Sequence, residues 1–282
     1  MIKCEKIDDL QVILGKEASN RLVIHLNYNF NDTKGVCLVK GIVLAGGSGT
    51  RLRPLTKLFN KHLLPVGKYP MIEHSIQKLC DAGIKDILIV TGKQSAGLFV
   101  EYLGSGDERG IKITYKIQDQ PGGIAQALLL AEGFIFPQEK FVVILGDNLF
   151  AEALNPFLKE FQKQEKGAKV LLKEVEDPRR YGVPVLTDNR IVSIEEKPVQ
   201  PKSNFCVTGI YMYDSSVFDV IRTIRPSSRG ELEITDVNNY YTAEGTLTYD
   251  ILQDWWLDAG THQTLNEGTK RIQEGNSSWR DS

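Results

Sequence analysis

An α/β fold built around a mostly parallel sheet is what this 282-residue sequence predicts. Three features carry the prediction. The run Ile42-Val43-Leu44 is short, apolar and largely β-branched, and it stops at Gly46-Gly47, as a buried strand entering a turn does. Strand-like stretches at 86–91, 112–117 and 141–146 then alternate with helix-like stretches at 70–82, 95–103 and 122–133. A β-α-β-α order of this kind implies parallel strands with helices on both faces. Beyond residue 168 the strands come in quick succession, at 168–175, 183–187, 191–195 and 205–213, broken by Asp188-Asn189 and by 198–203. That change reads as an added, partly antiparallel layer, continuous with the first sheet or packed on it.

Taken in order, residues 1–40 form an extension of unknown role. Residues 22–26 suit a strand and 27–35 a loop, and a small strand pair, an upstream start or a partner-binding arm are the alternatives. Residues 41–282 read as one domain with a lobe at about 41–150, a second at about 151–260 and a closing helix at about 261–274. A helix at 231–243 and a strand at 246–251 complete it. In open sheets of this class the ligand lies beyond the carboxyl ends of the strands. The 46–53 loop, the residues after Tyr115 and Gly146-Asp147-Asn148 therefore share one rim.

Composition narrows the function classes. Hydrophobic residues make up 41% and charged residues 25%, as in soluble globular proteins. With 34 Lys and Arg against 36 Asp and Glu, the net charge of −2 gives no basic excess for a nucleic-acid backbone. Cys4, Cys37, Cys80 and Cys206 are widely spaced, which argues against zinc and a disulfide framework and suits a reducing cytosol. No apolar run approaches the roughly 20 residues that span a bilayer. A soluble, cytoplasmic protein is expected.

The chemistry centres on GIVLAGGSGTRLRPLT at 41–56. Gly46, Gly47 and Gly49 remove Cβ atoms that would hold a ligand off the backbone, Ser48 and Thr50 add hydroxyls, and Arg51 and Arg53 add charge. Such a loop can turn several N–H groups toward one anion. It matches neither common phosphate motif, because no lysine follows the glycines and Leu52 stands where a dinucleotide loop ends in glycine. Lys61 follows in the run Lys61-His62-Leu63-Leu64-Pro65. Asp147 ends FVVILGD and Asp258 sits in WWLDAGT, so each carboxylate leaves an apolar strand at a rim. Either suits a turn or cap alone; together they suit a hard cation, which takes oxygen ligands. No histidine spacing suggests a metal pair or a nucleophilic triad.

The segments LAGGSGTRLRPLT and NKHLLPVGKYPMIEH, followed in order by RYGV, EEKP, VTG and RGELEITD, resemble the sugar-nucleotidyltransferases, specifically the glucose-1-phosphate thymidylyltransferases. The resemblance runs from Gly41 to about Leu265. It implies a Rossmann-like nucleotide-diphospho-sugar transferase fold with a sugar-binding lobe, and transfer of a thymidylyl group from dTTP to glucose 1-phosphate with release of dTDP-glucose and pyrophosphate. It places the nucleotide on Leu44, Gly46, Gly47, Gly49, Thr50, Arg51, Lys61, Gln118, Gly123 and Asp147. It places the sugar phosphate on Asn148, Tyr181, Gly182, Glu196, Lys197, Val207 and Arg229, and Mg²⁺ on Asp147 and Asp258. Arg51, Lys61 and Lys197 are the expected catalytic cations. Read without the resemblance, Tyr181 equally suits a core and Glu196 a solvated surface.

A glutamine amide at Gln118 offers a donor and an acceptor, which matches a pyrimidine edge. The run Asp119-Gln120-Pro121-Gly122 departs from several relatives and leaves thymine against uracil open. A uridylyltransferase making UDP-glucose or another NDP-sugar is the alternative within the family; a non-catalytic nucleotide-sugar sensor is the alternative outside it. The resemblance further implies a homo-oligomer, dimer or tetramer, and supply of dTDP-rhamnose or a related deoxysugar. The chain ends soon after its last helix, which matches the short form and leaves a regulatory nucleotide site open.

Overall fold

Strand after strand, the chain alternates side chains between the two faces of one sheet. The computed structural model describes residues 39–47 and 49–274, and the expectations for the first 38 residues, for the Ser48 hydroxyl and for the tail after 274 lie outside them. In chain order the elements are β1 (Lys40–Ala45), β2 (Pro65–Val66), β3 (Tyr69–Pro70), α1 (Met71–Asp81), β4 (Asp86–Gly92), α2 (Ala96–Leu103), β5 (Lys112–Gln118), α3 (Ile124–Leu129), β6 (Lys140–Leu145) and β7 (Asn148–Phe150). There follow α4 (Asn155–Lys163), β8 (Ala168–Glu174), β9 (Gly182–Thr187), β10 (Arg190–Glu196), β11 (Phe205–Asp214), α5 (Val217–Thr223), α6 (Ile234–Ala243), β12 (Leu247–Ile251), β13 (Trp256–Asp258) and α7 (His262–Glu274).

Seven strands form the main sheet in the order β12-β8-β11-β6-β1-β4-β5. β1 runs parallel to β4 and β6, β4 to β5, and β8 to β12, while β11 is antiparallel to both β6 and β8. The later strands therefore extend the first sheet. The short antiparallel pairs β7–β13 and β2–β3 stand beside it, as does the β9–β10 hairpin. Its two-residue turn holds Asp188 at φ 48 and Asn189 at φ 57, the mirror-image turn whose twist matches paired strands and which these two residue types tolerate.

The period of two decides the core. Ile42, Leu44, Leu88, Val90 and Val143 face one cluster, closed by Leu128 of α3, Phe218 of α5 and Val237 of α6. Val43, Ile87, Ile89, Val142 and Ile144 face the other, closed by Ile76 and Leu79 of α1, Phe99 of α2 and Phe161 of α4. A smaller cluster packs Leu52, Leu64, Val66 and Leu149 under Leu265 of α7, which anchors the segment after the glycine-rich loop. Helix α1 stops at Gly83, whose φ of 79 lets its N–H reach the Cys80 carbonyl while Ile84 N–H reaches that of Leu79. This paired closure of a helix end favours glycine because a Cβ resists that backbone.

The helix expected over 122–133 is shorter, at Ile124–Leu129. Gly123 at φ 97 stays outside it, and the chain turns again at Gly133. Helices α4 and α5 had no sequence expectation, although Pro156 near a helix start and the buried pair Leu158 and Phe161 are the signals that identify α4. No helix among the described residues is long and apolar enough to cross a membrane.

Buried His74 on α1 gives a reason to expect the fold to weaken at acid pH. Its Nε2 lies 3.0 Å from the Val66 carbonyl oxygen, and burial holds its pKa below 6.5 against the opposing pull of that carbonyl and of Glu73. An unfolded chain takes up a proton near pH 6.5 that the folded chain resists, so the associated stability is complete above that pH and declines as pH falls. Urea denaturation of wild type and His74→Gln from pH 7 to pH 5 should show a steeper decline in wild type, by up to about 1.4 kcal/mol per pH unit. Parallel curves would exclude His74 as the cause.

Candidate active site

A cleft of about 700 Å³ opens at the carboxyl ends of β1, β5 and β6. Leu44, Gly46, Gly47, Thr50, Arg51, Lys61, Gln118, Gly123, Asp147 and Asn148 line it, together with Tyr181, Gly182, Glu196, Lys197, Val207, Arg229 and Asp258. Gly49 is the exception among the expected residues. Its φ of 58 makes the turn, and a Cβ there would stand 2.9 Å from Thr56 Cγ2, so it shapes the loop from behind. Thr208 and Gly209 of the VTG segment also lie off the cleft, donating to the Leu171 carbonyl and to Asn148 Oδ1 respectively.

The glycine-rich loop turns directly into a short 3₁₀ segment, Thr50–Leu52. The Gly49 carbonyl accepts from Leu52 N–H at 2.9 Å and from the Thr56 hydroxyl at 2.7 Å, and Leu52 is fully buried. A further 3₁₀ turn, Lys61–Leu63, carries the lysine. Asn60 Oδ1 caps it by accepting from His62 N–H at 2.9 Å, and the same oxygen lies 2.8 Å from His62 Nδ1, which therefore carries the hydrogen. Asn60 Nδ2 donates to Ser95 Oγ at 3.2 Å, tying the turn to the loop after β4. His62 was not expected in the site. It lines the cleft beneath Gly146, and burial, followed by the charge of Lys61, pushes its pKa down to about 3. The ring is neutral at physiological pH.

Two carboxylates meet at the centre. β7 and β13 pair antiparallel with Asp258 opposite Asn148, and Ala259 N–H donates to the Asp147 carbonyl at 2.8 Å. Burial alone would raise the Asp147 pKa, but the Lys61 ammonium bonded to it, with lesser help from His62 and Asn148, holds that carboxyl well below the usual range. Asp258 moves the other way, raised by burial and then by the charge of Asp147, with Lys61, Arg51 and Arg180 opposing. Arg51 approaches its Oδ2 at 3.6 Å and Arg180 at 3.9 Å, while its Oδ1 is buried without a hydrogen-bond partner. An orphaned carboxylate oxygen beside a second carboxylate fits a hard divalent cation. Among the described residues no group of three or more acidic, histidine or cysteine ligands could hold one alone. Substrate oxygens and water would complete the shell, as is usual for Mg²⁺.

The opposite wall comes from the hairpin and α6. Glu196 Oε2 accepts from Thr235 Oγ1 at 2.6 Å, and its Oε1 lies 3.1 Å from Lys197 Nζ and 3.4 Å from Arg229 Nη2. Arg229 is held more closely by Glu233, at 2.8 Å. Lys197 adopts φ 47, a conformation costing a residue with a Cβ about 1–2 kcal/mol, and its N–H is tied to the Tyr181 carbonyl at 2.9 Å. Such strain at a cleft wall commonly accompanies function. Tyr181 packs edge-on to Trp256 with ring centres 5.5 Å apart. The sequence reading named neither Thr235 nor Glu233, although both stand in the RGELEITD segment it singled out.

Asn148, expected as a sugar contact, lines the cleft and also serves the fold. Its Oδ1 accepts from Gly209 N–H at 2.8 Å and Trp256 Nε1–H at 2.7 Å, and its Nδ2 donates to Asp147 Oδ1 at 3.1 Å. It is 3% exposed, so its side chain bolts β7, β11 and β13 together around Asp147.

Comparison with known proteins gives a coherent result. The family model described as nucleotidyl transferase matches residues 40–275. A glucose-1-phosphate thymidylyltransferase of Neisseria meningitidis is 44% identical over 239 residues, 83% of each chain. A crystal structure of a candidate glucose-1-phosphate thymidylyltransferase from Bacillus anthracis, in complex with a sucrose, superposes with a TM-score of 0.82 at 53% identity, covering 86% of this chain and 98% of that one. A UDP-glucose pyrophosphorylase complexed with UDP-glucose shares the fold at a TM-score of 0.74 and 25% identity, covering 85% of this chain and all of that one.

Removing the Asn148 amide leaves two buried donors without partners. Asn148→Ala should lower stability by about 2–5 kcal/mol, read as a fall in the urea midpoint at unchanged slope. A loss below about 1 kcal/mol would show that the amide is not the bolt described.

Proposed function

We infer that this chain, which belongs to the nucleotidyl transferase family, transfers a thymidylyl group from dTTP to glucose 1-phosphate, giving dTDP-glucose and pyrophosphate. The observation that carries the reading is the two-sided cleft. Arg51, Lys61 and Gln118 stand with the glycine-rich loop on one side, Glu196, Lys197 and Arg229 on the other, and buried Asp147 and half-buried Asp258 lie among them.

In this reading Leu44, Gly46, Gly47, Thr50, Gln118 and Gly123 hold the nucleoside, and Arg51 and Lys61 hold the triphosphate. Tyr181, Gly182, Val207 and Glu196 grip the hexose, with Glu196 accepting from adjacent hydroxyls, while Lys197 and Arg229 hold its phosphate. Asp147 and Asp258 would hold Mg²⁺, which when bound offsets phosphate charge and stabilises the charge developing in the transition state. An oxygen of the sugar phosphate forms a bond to the α-phosphorus as the bond to the β-phosphate oxygen breaks, and the electron pair leaves with pyrophosphate. The attacking phosphate, with a second pKa near 6, is mostly dianionic at neutral pH. No side chain has to remove a proton, which agrees with a cleft whose histidine, His62, is buried and neutral. The residues act by positioning two polyanions in line, and point charges and guanidinium forks suit that work.

Pyrophosphate release with Mg²⁺ and glucose 1-phosphate should be fastest with dTTP in a panel with UTP, dCTP, ATP and GTP; a clear UTP preference would overturn the nucleotide assignment. Asp147→Asn should lower kcat by about 100-fold or more, and turnover within about threefold of wild type would remove Asp147 from the mechanism. Lys197→Ala should raise KM for glucose 1-phosphate by about tenfold with little change in KM for dTTP. Equal effects on both substrates would count against its place on the sugar phosphate.

A further inference from the structure

Gln126 lies on α3 just behind the cleft wall, and no step above uses it. The hydrogen bonds around it run in one direction. Gly122 N–H can only donate, and its partner, 3.0 Å away, is Gln126 Oε1. That contact decides which end of the Gln126 amide faces Gly122, a choice that follows from the polarity of the network. The same oxygen lies 2.8 Å from Gln118 Nε2, and the Gly123 carbonyl, which can only accept, lies 3.4 Å from that nitrogen. Two acceptors on one side turn the Gln118 NH₂ toward them. Its Oε1 is left beside Gly46, where a Cβ on that glycine would stand 2.9 Å away. Gly122 permits the arrangement, since a Cβ on it would lie 2.4 Å from the Gln126 amide carbon.

We propose that Gln126 is a positioning residue for base selection: it locks Gln118 with its amide oxygen toward the base, so the cleft selects a pyrimidine whose N3 carries a hydrogen. The proposal rests on the thymidylyl-transfer reading and deepens it. Thymine and uracil present N3–H to the Gln118 oxygen. Cytosine presents a lone pair there, leaving two acceptors facing each other at a residue only 9% exposed. Sites that hydrogen-bond a substrate N–H discriminate strongly against analogues lacking it. Without an acceptor at position 126, Gln118 can rotate and offer its NH₂ to cytosine.

The test compares kcat/KM for dTTP and dCTP, with glucose 1-phosphate as acceptor, in wild type, Gln126→Leu and Gln126→Glu. Gln126→Leu should lower the dTTP-to-dCTP ratio by about tenfold or more. Gln126→Glu keeps an oxygen for both Gly122 and Gln118, so its ratio should stay within about threefold of wild type even where its negative charge weakens both nucleotides. A wild-type ratio in Gln126→Leu, or an equal loss of ratio in both variants, overturns the proposal. Calorimetric dissociation constants for dTTP and dCTP give the same ratio where turnover is too slow to measure. Wild type that turns over neither dTTP nor UTP would overturn the underlying reading, and would do so before any variant is made.

Discussion

The antiparallel pairing of β7 with β13 is the contact on which the cleft depends. It sets Asp258 opposite Asn148 and ties the Asp147 carbonyl to Ala259, so two carboxylates from distant parts of the chain are brought together in the cleft. Like charges there repel, and burial adds to the cost of each. The surrounding cations offset it unequally. Lys61 bonds Asp147 directly, whereas Asp258 has only the more distant Arg51 and Arg180 and keeps one oxygen without a partner. The asymmetry leaves one carboxylate satisfied and the other short of positive charge. That is the electrostatic condition for taking up a cation together with phosphate oxygens.

Charge across the rest of the cleft is arranged in advance. Arg229 lies against Glu233, and Lys197 against Glu196, which Thr235 holds from behind. Each long cationic side chain thus has a defined position before any substrate phosphate arrives, and less rotamer freedom is lost on binding. Preorganised charge of this kind is worth more in a sheltered site than the same charge in water. The backbone of Lys197, in a left-handed conformation secured by the Tyr181 carbonyl, belongs to the same design.

Polarity is controlled by backbone groups on the side of the cleft that holds the glycine-rich loop. Asn60 is oriented by His62 N–H and in turn assigns the His62 tautomer; Gln126 is oriented by Gly122 N–H and in turn assigns the Gln118 amide. A main-chain N–H cannot reverse its role, so the side chains it orients inherit a direction. Asn148 serves similarly, accepting from Gly209 N–H while its amide nitrogen faces Asp147. Side chains one layer behind the cleft wall thereby decide what the wall presents.

The sequence by itself determined the alternating α/β architecture, because a period of two in Ile42-Val43-Leu44 and its counterparts and the spacing of Ile72, Ile76 and Leu79 are local properties. It also determined most of the cleft, since RYGV, EEKP and RGELEITD each carry their cleft-lining residues within a few positions of one another. What only the tertiary structure decided is the partner of each polar group. Periodicity reports which face a residue occupies, and it is silent on what stands across from it. The inward turn of Asn148, the buried neutral ring of His62, the supporting place of Gly49 and the Gln126–Gln118 contact all follow from elements brought together by the sheet order or by close packing of turns. Hydrogen bonds are short and directional, so the residues that orient a site become visible only when the chain has closed around it.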